Sequence, residues 1–380
     1  MEAIYLDHAA TSPMAKGVVE AMIPVYEGII GNASSVHSFG RKARQQLDAS
    51  RQALAASIGA NEKELIFTSG GTEADNMALV GVAEASQDKG NHIITSVQEH
   101  HATLHTAEKL EKQGFRVTYL PVNEKGLVSI QDLEEVLTDD TILVSIMYVN
   151  NETGVIQPVA EIGELLKNHQ AYFHTDAVQA YGLIDINVHE QNIDLLTATA
   201  HKIGGPKGIG FLYANEKVSM SPIQFGGEQE RKRRPGTENI PAAVGFELAS
   251  NIVLETKAAR NQQYQKYKQI LTDTFTEAGI DFAINGEPGK TVSTIINISF
   301  PGTNVEALLA NFDLSGVAAS SGSACTAGSI EPSHVLSAMY GPDNPVTTNS
   351  IRFSFGLANT EDNVKEAADR IASIVKRLTS

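Results

Sequence analysis

The sequence of 380 residues contains one cysteine, Cys325, and no tryptophan. One cysteine cannot form a disulfide within the chain, and the chain opens with no charged-then-apolar leader, so we expect a reducing compartment, the cytoplasm. No apolar run is long enough to cross a membrane. Acidic residues outnumber basic ones by 45 to 29, and the net charge of −16 disfavours general binding to nucleic acid.

One basic cluster stands out against this acidic composition. The stretch "ERKRRPG" places Arg231, Lys232, Arg233 and Arg234 in a row. Such a run is either an anion-binding patch or, more commonly, a solvated loop. We therefore expect no direct binding to nucleic acid.

Short β-branched runs, polar turns and helical patterns alternate from Glu64 onward, as in "ELIFTSGGTEADNMALVGVA". This alternation predicts an α/β domain with a mostly parallel sheet. From Ile240 to Gly279 the pattern becomes one long helix, and the remaining strands and helices predict a smaller α+β domain. We expect a large domain over residues 14–255 and a small domain formed by 1–13 and 256–380, with a cysteine-bearing mobile loop at about 320–332.

The ends of the predicted strands are unusually polar. Ligands of open α/β sheets gather beyond the carboxyl ends of the strands, so these residues are candidates for a site. They are Ser69 to Thr72, Glu99 to His101, Asn150 to Glu152, Asp176 with Gln179, and Thr199 to Lys202.

Three of these strand ends suggest one chemistry. The turn "SGGTE" offers backbone N–H groups to a phosphate, although alone it is as well explained as a tight turn. Asp176 ends a strand as a buried acid or as a helix cap. Lys202 follows an apolar strand, where desolvation would lower its pKa toward that of an amine able to form a Schiff base. A phosphate cradle, an acid and a lysine are the parts that pyridoxal phosphate requires.

Five ordered motifs then give a specific resemblance. They are "TSGGTEADN", "EHHATLH", "HTDAVQA", "HKIGGPKGIG" and "GSACTAGSIEPSHVL". Together they resemble the cysteine desulfurases of the class-V aminotransferase family, in the long-loop subgroup that includes the nitrogenase-cluster and housekeeping iron–sulfur enzymes. The similarity covers nearly the whole chain. It implies the pyridoxal-phosphate fold of type I, that of aspartate aminotransferase.

The resemblance also implies a cofactor site. Lys202 would carry pyridoxal 5'-phosphate, Asp176 would pair with its pyridine nitrogen, and His100 would stack on its ring. The other implied cofactor contacts are Gly71, Thr72, Asn151, Gln179, Thr199, His201 and, from a second subunit of a homodimer, Thr237. The family usually has serine where this chain has Thr199, and either hydroxyl can donate to phosphate.

The implied substrate is L-cysteine. Arg352, in "IRFSFG", would bind its carboxylate together with Asn151, because a guanidinium suits a carboxylate. Lys202, His100 and Cys325 would be catalytic, with Cys325 taking up sulfur as a persulfide on a loop of small, polar residues. An acceptor protein, either an iron–sulfur scaffold or a tRNA-thiolating enzyme, would receive that sulfur.

Other interpretations share part of this pattern. A selenocysteine lyase or another class-V aminotransferase would need Lys202 and Asp176 but no loop thiol. A scaffold that binds partners through its acidic surface would need neither. His101 and His105 are spaced for metal binding on a helix, but no further ligands accompany them, so we expect no metal site.

Overall fold

The structure is a computed structural model that describes residues 2–322 and 332–379; Cys325 lies outside these ranges. The helices in the described part of the chain are α1 (Val18–Gly28), α2 (Ser38–Ala56), α3 (Gly71–Ala85), α4 (His101–Lys112), α5 (Ile130–Val136), α6 (Val159–Leu166), α7 (Ile240–Glu277), α8 (Val305–Leu314), α9 (His334–Tyr340), α10 (Val346–Asn349) and α11 (Glu361–Thr379). Single 3₁₀ turns lie at Glu62–Glu64, Ala200–Lys202 and Gln229–Lys232.

The strands in the same ranges are β1 (Ile4–Tyr5), β2 (Leu65–Thr68), β3 (His92–Ser96), β4 (Arg116–Leu120), β5 (Thr141–Ser145), β6 (Tyr172–Asp176), β7 (Leu195–Thr199), β8 (Gly210–Ala214), β9 (Ala283–Asn285), β10 (Ile295–Ser299), β11 (Val317–Ala318) and β12 (Ser350–Ser354).

The central sheet confirms the predicted α/β fold. Among the described residues its order is β2-β8-β7-β6-β5-β3-β4, and only β8 runs antiparallel to its neighbours. Strands β5, β6 and β7 are buried along their whole length; β5 and β7 are mostly apolar and β-branched, while β6 also contains His174 and Asp176. Because the parallel strands point the same way, their carboxyl ends meet at one edge, where the polar residues follow.

Helix α7 links two hydrophobic cores. Its first half, up to Val253, packs into the core around the central sheet. Its second half, from Tyr264, packs into a second core with the final helix α11. The helix ends within two residues of the predicted position. None of the described helices combines the length and apolar composition needed to cross a bilayer.

The second core surrounds smaller sheets. Strand β10 pairs antiparallel with β9 and β12, while β1 pairs in parallel with β11 from the other end of the chain. The N-terminal strand therefore belongs with the C-terminal third of the chain, and α11 covers the β1–β11 pair. The exact domain boundaries at 13/14 and 255/256 stay predictions, since α7 runs unbroken across the second of them.

Thr360 caps the start of helix α11. The hydroxyl oxygen of Thr360 accepts a hydrogen bond from the backbone N–H of Asn363 at 3.2 Å. Glu361 and Asp362 occupy the first turn, where negative charge is favourable.

Candidate active site

A cavity of about 360 Å³ lies beyond the carboxyl ends of β5, β6 and β7. Its wall contains ten of the residues predicted from sequence, namely Gly71, Thr72, His100, Asn151, Asp176, Gln179, Thr199, His201, Lys202 and Arg352. Six separate segments of the chain supply them. The structure thus brings together almost all of the predicted site in one chain.

The N-terminus of α3 forms one end of this cavity. Gly71 is its first residue, and a Cβ atom there would lie 2.9 Å from a methyl group of Val178, so only glycine fits without movement. The first N–H groups of a helix have no partner within the helix. A neighbouring cavity of about 390 Å³ continues from this turn past Thr199, His201 and Lys207. The N–H groups of this turn, the Thr199 hydroxyl and the ammonium group of Lys207 suit a phosphate group.

Asp176 closes β6 at the floor of the cavity. Its side chain is buried, and its Oδ1 accepts a hydrogen bond from the backbone N–H of Val178 at 2.8 Å. Burial raises the pKa of Asp176 to about 6, against the backbone hydrogen bond and the charge of Lys202, which lower it. A cationic ligand group would stabilise this carboxylate.

Lys202 reaches the cavity from the 3₁₀ turn that follows β7. Its Nζ donates hydrogen bonds to the backbone oxygens of Ala9 and Ala10, at 2.5 and 2.8 Å. Gln179 also donates to the oxygen of Ala9, at 2.9 Å. The N-terminal segment that contains Ala9 and Ala10 therefore orients the lysine. No sequence motif predicted this role.

His100 lies above the floor at the start of α4. Its Nδ1 accepts a hydrogen bond from the backbone N–H of Ala102 at 3.1 Å, so the ring nitrogen Nε2 carries the proton of the neutral form. Burial, followed by the charge of Lys202, lowers the pKa of His100 to about 4. The ring is neutral at physiological pH, which suits stacking on an aromatic ligand.

Arg352 is one of the most deeply buried large side chains of the protein. Its Nη2 pairs with Asp7 Oδ1 at 2.7 Å, and its Nη1 donates to the backbone oxygen of Asn151 at 3.0 Å. Its Nε has no hydrogen-bond partner among the described residues. Sequence reasoning missed Asp7, although "YLDHAA" places an acid beside the first strand.

The residues that flank the cysteine segment lie near Arg352. Ser320 exchanges backbone hydrogen bonds with Arg352, and its hydroxyl donates to Asp7 Oδ2 at 2.8 Å. On the other side, the Ser333 hydroxyl donates to the buried carboxylate of Glu152 at 2.5 Å. Cys325 itself lies outside the described residues, so its predicted approach to the cavity stays a prediction.

Thr237 is the one described residue of the predicted set that does not line the main cavity of its own chain. It lines a separate cavity beside Ser69, Gly236 and Asn239. The family resemblance predicts that Thr237 binds the cofactor phosphate in the active site of a second subunit. The structure contains one chain, so this contact stays a prediction.

The segment before Thr237 is strongly held. Glu230, Arg231 and Lys232 have left-handed φ angles of 44°, 57° and 67°, which cost energy in residues with side chains. Buried Glu230 compensates by forming two short hydrogen bonds with buried Arg51, at 2.6 and 2.7 Å. Arg234 pairs with Glu73 at 2.8 Å, so part of the basic cluster has acidic partners.

Histidines His101, His105 and His334 pack together beside His100, with ring centres about 5 Å apart. Within residues 2–322 and 332–379, no group of three or more histidine, cysteine or acidic side chains has the geometry to bind a metal. The cluster is a set of ring contacts.

Comparison with known proteins gives the family. The fold and the cavity are those of a pyridoxal-phosphate enzyme of fold type I. Residues 4–366 match the model of the family described as aminotransferase class-V. A protein of Bacillus subtilis named "Putative cysteine desulfurase IscS 1" is 58% identical, with 100% of both chains covered. The chain belongs to the aminotransferase class-V family and, within it, to the cysteine desulfurases.

One further relative and one solved structure support the same family. The "Cysteine desulfurase IscS" of Methanosarcina thermophila is 45% identical over 99% of this chain and 93% of its own. A solved structure described as "NIFS-LIKE PROTEIN" superposes with a TM-score of 0.92 at 33% identity, covering 99% of this chain and all of that one. The similarity extends over the whole length, as the motifs predicted.

We predict that Glu99→Gln stabilises the apoprotein progressively as pH rises. Burial raises the pKa of Glu99 to about 8 despite hydrogen bonds from Ser96 and Met147. Between the unfolded pKa and about 8, the folded protein retains a proton that the unfolded chain has released, so the free energy of unfolding falls with pH. Glutamine has no proton to lose.

Urea unfolding at pH 5 and pH 8 measures this effect. The stability advantage of the variant should grow by at most about 1.4 kcal/mol per pH unit. Exposed Glu108→Gln is the control and should differ from the wild type equally at both pH values. An advantage of Glu99→Gln that is constant or decreases with pH contradicts the assignment.

Proposed function

We propose that this protein removes sulfur from L-cysteine, giving L-alanine and a persulfide on Cys325, with pyridoxal 5'-phosphate bound in the main cavity. The observation that carries the proposal is the convergence of Lys202, Asp176 and the N-terminus of α3 in a cavity of the desulfurase fold. Relatives named cysteine desulfurase support it over the full chain.

The residues fit the cofactor group by group. The N–H groups before and at Gly71, with Thr72, Thr199 and His201, would hold its phosphate. The buried carboxylate of Asp176 would meet its protonated pyridine nitrogen. Neutral His100 would cover its ring, and Asn151 and Gln179 line the same wall. When bound, the cofactor withdraws electrons from the bonds at the substrate α-carbon.

Lys202 has two roles in this proposal. Its amine would hold the cofactor covalently, and the same amine, when free, would remove the substrate α-proton. The backbone oxygens of Ala9 and Ala10 fix its direction.

Arg352 would bind the substrate carboxylate. Its Nε is free of partners among the described residues, while Asp7 and the Asn151 oxygen hold its other nitrogens. This arrangement fixes the plane of the guanidinium before substrate arrives, which lowers the entropy lost on binding. Asp7 also balances the buried charge of Arg352 when the site is empty.

Sulfur transfer would involve Cys325. The substrate carbon–sulfur bond breaks, the sulfur bonds to the Cys325 thiolate as a persulfide, and protons return to the carbon to give alanine. One cysteine and one enzyme thiol are thus converted to one alanine and one enzyme persulfide. The family resemblance implies that His100 would exchange the proton of the Cys325 thiol.

We propose a homodimer in the cytoplasm. Thr237 lies outside its own main cavity, beside a strained segment that Arg51 and Glu230 hold in place, and the family resemblance gives Thr237 to the partner's phosphate. The sulfur acceptor would be an iron–sulfur scaffold or a tRNA-thiolating enzyme, the two classes that the resemblance implies.

Lys202→Ala should lose the visible absorption band of covalently bound cofactor. Turnover should fall below about a tenth of wild type, because both attachment and proton removal need the amine. Exposed Lys112→Ala is the matched control and should retain the band and the activity. Substantial turnover by Lys202→Ala would remove this lysine from the chemistry.

Cys325→Ser tests desulfurase against the alternatives. The variant should bind pyridoxal phosphate like the wild type but form alanine from cysteine about a hundredfold more slowly, because serine is a far weaker nucleophile toward sulfur. The measurement is alanine released per bound cofactor. A selenocysteine lyase or aminotransferase needs no loop thiol, so full activity of Cys325→Ser would favour one of those.

A further inference from the structure

Asp75 is a second carboxyl group in the wall of the main cavity. It lies on α3, one turn after Gly71, and its side chain is almost completely buried. Its Oδ1 has no hydrogen-bond partner among the described residues. Neither the strand-end pattern nor the family motif gave this residue a role, because it lies inside a helix.

No cation of the described residues pairs with Asp75. The nearest basic side chain is His174 on β6, whose Nε2 is 3.7 Å from Asp75 Oδ1. That ring already has a hydroxyl at each nitrogen, Ser145 at 2.8 Å and Thr197 at 3.1 Å. Burial lowers the pKa of His174 to about 3, so the ring is neutral.

The surroundings of Asp75 are acidic. Asp176 on β6 shares the cavity wall with it, and Glu99, after β3, is a further buried acid that repels Asp75 when it is ionised. The Thr197 hydroxyl on β7 is the contact that favours the charged form. Two neighbouring carboxyl groups in a wall shielded from water do not both ionise, so one of them retains a proton.

The contacts decide which carboxyl group retains the proton. Asp176 accepts a backbone N–H bond from Val178 and is attracted by Lys202, and both interactions favour its charged form. Asp75 has an oxygen that receives no hydrogen bond among the described residues, and an unpaired buried oxygen costs more in a carboxylate than in a neutral acid.

We propose that Asp75 is a positioning residue that stays protonated, so that Asp176 alone offers a negative charge to the pyridine nitrogen of the cofactor. The inference rests on the proposed cofactor site. Burial and the charge of Asp176 raise the pKa of Asp75 well above its usual range, in agreement with the geometry. The protonated acid limits the negative charge of the two aspartates to one and provides an O–H donor in the same wall as Asp176.

Infrared spectroscopy tests the proposal directly, because a protonated carboxylic acid has a C=O band distinct from that of a carboxylate. Protein labelled with ¹³C-aspartate, in the Glu99→Gln background and loaded with pyridoxal phosphate at pH 7.5, should show one isotope-shifted band of a buried protonated aspartate. The band should disappear in Asp75→Asn.

Asp194→Asn is the matched control. Asp194 is also buried beside the central sheet, but it pairs with Lys217 at 2.8 Å, so its removal should leave the band unchanged. If Asp75→Asn fails to fold, Asp75→Ser replaces it in the same measurement. A labelled protein without a protonated aspartate band, or a band that survives substitution of Asp75, overturns the proposal.

Cofactor affinity gives a second readout. If Asp75 is already neutral, Asp75→Asn removes no charge, and the Kd for pyridoxal phosphate should change by less than about threefold; loss of an ionised group would weaken binding by about tenfold or more. Such weakening would contradict the proposal. The infrared measurement involves no cysteine turnover, so failure of the desulfurase assignment through Cys325 would leave its result intact.

Discussion

The carboxylate of Asp176, which burial at the end of β6 destabilises and which the Val178 N–H and the charge of Lys202 stabilise in part, is the constraint on which the site depends. The parallel sheet buries Asp176, because it brings the polar strand ends together at one edge. Arg352 of the second core lines the cavity at that edge. Burying an acid without compensation is unfavourable. The apoprotein therefore has a cavity whose charges are incompletely matched, and a cationic heterocycle with a phosphate at its other end would match both ends of the wall.

Arg352 connects this cavity to the rest of the molecule. It lies on β12 in the second core, yet its guanidinium contacts Asp7 of the N-terminal segment and the backbone of Asn151, which follows β5 of the central sheet. Ser320, just before the segment that carries the cysteine, shares Asp7 with it. One buried side chain thus joins the N-terminal strand, both cores and the start of the cysteine segment. A substrate carboxylate bound at Arg352 would therefore act on a side chain that contacts each of these places.

The sequence predicted much of this arrangement because its signals are local. Alternating strand and helix patterns identified the α/β fold, and Thr360 and Asn304 cap helices as their residue types predict. The resemblance gathered the residues of the cavity wall from six segments that periodicity alone could not have placed together. Asp7 and Asp75 were missed for a common reason: their importance arises from long-range contacts, with Arg352 and Asp176, that no spacing along the chain reveals. The left-handed turn at Glu230 was missed because non-glycine residues there depend on the distant Arg51.

The central claim is that sulfur passes from cysteine to Cys325, and mass spectrometry of the enzyme mixed with L-cysteine in the absence of reductant tests it most directly. The peptide that contains Cys325 should gain the mass of one sulfur atom in step with alanine release, and the same peptide from Cys325→Ser should gain none. Release of alanine and sulfide by the wild type with no sulfur added to Cys325 would contradict the account and favour a lyase that frees sulfide directly.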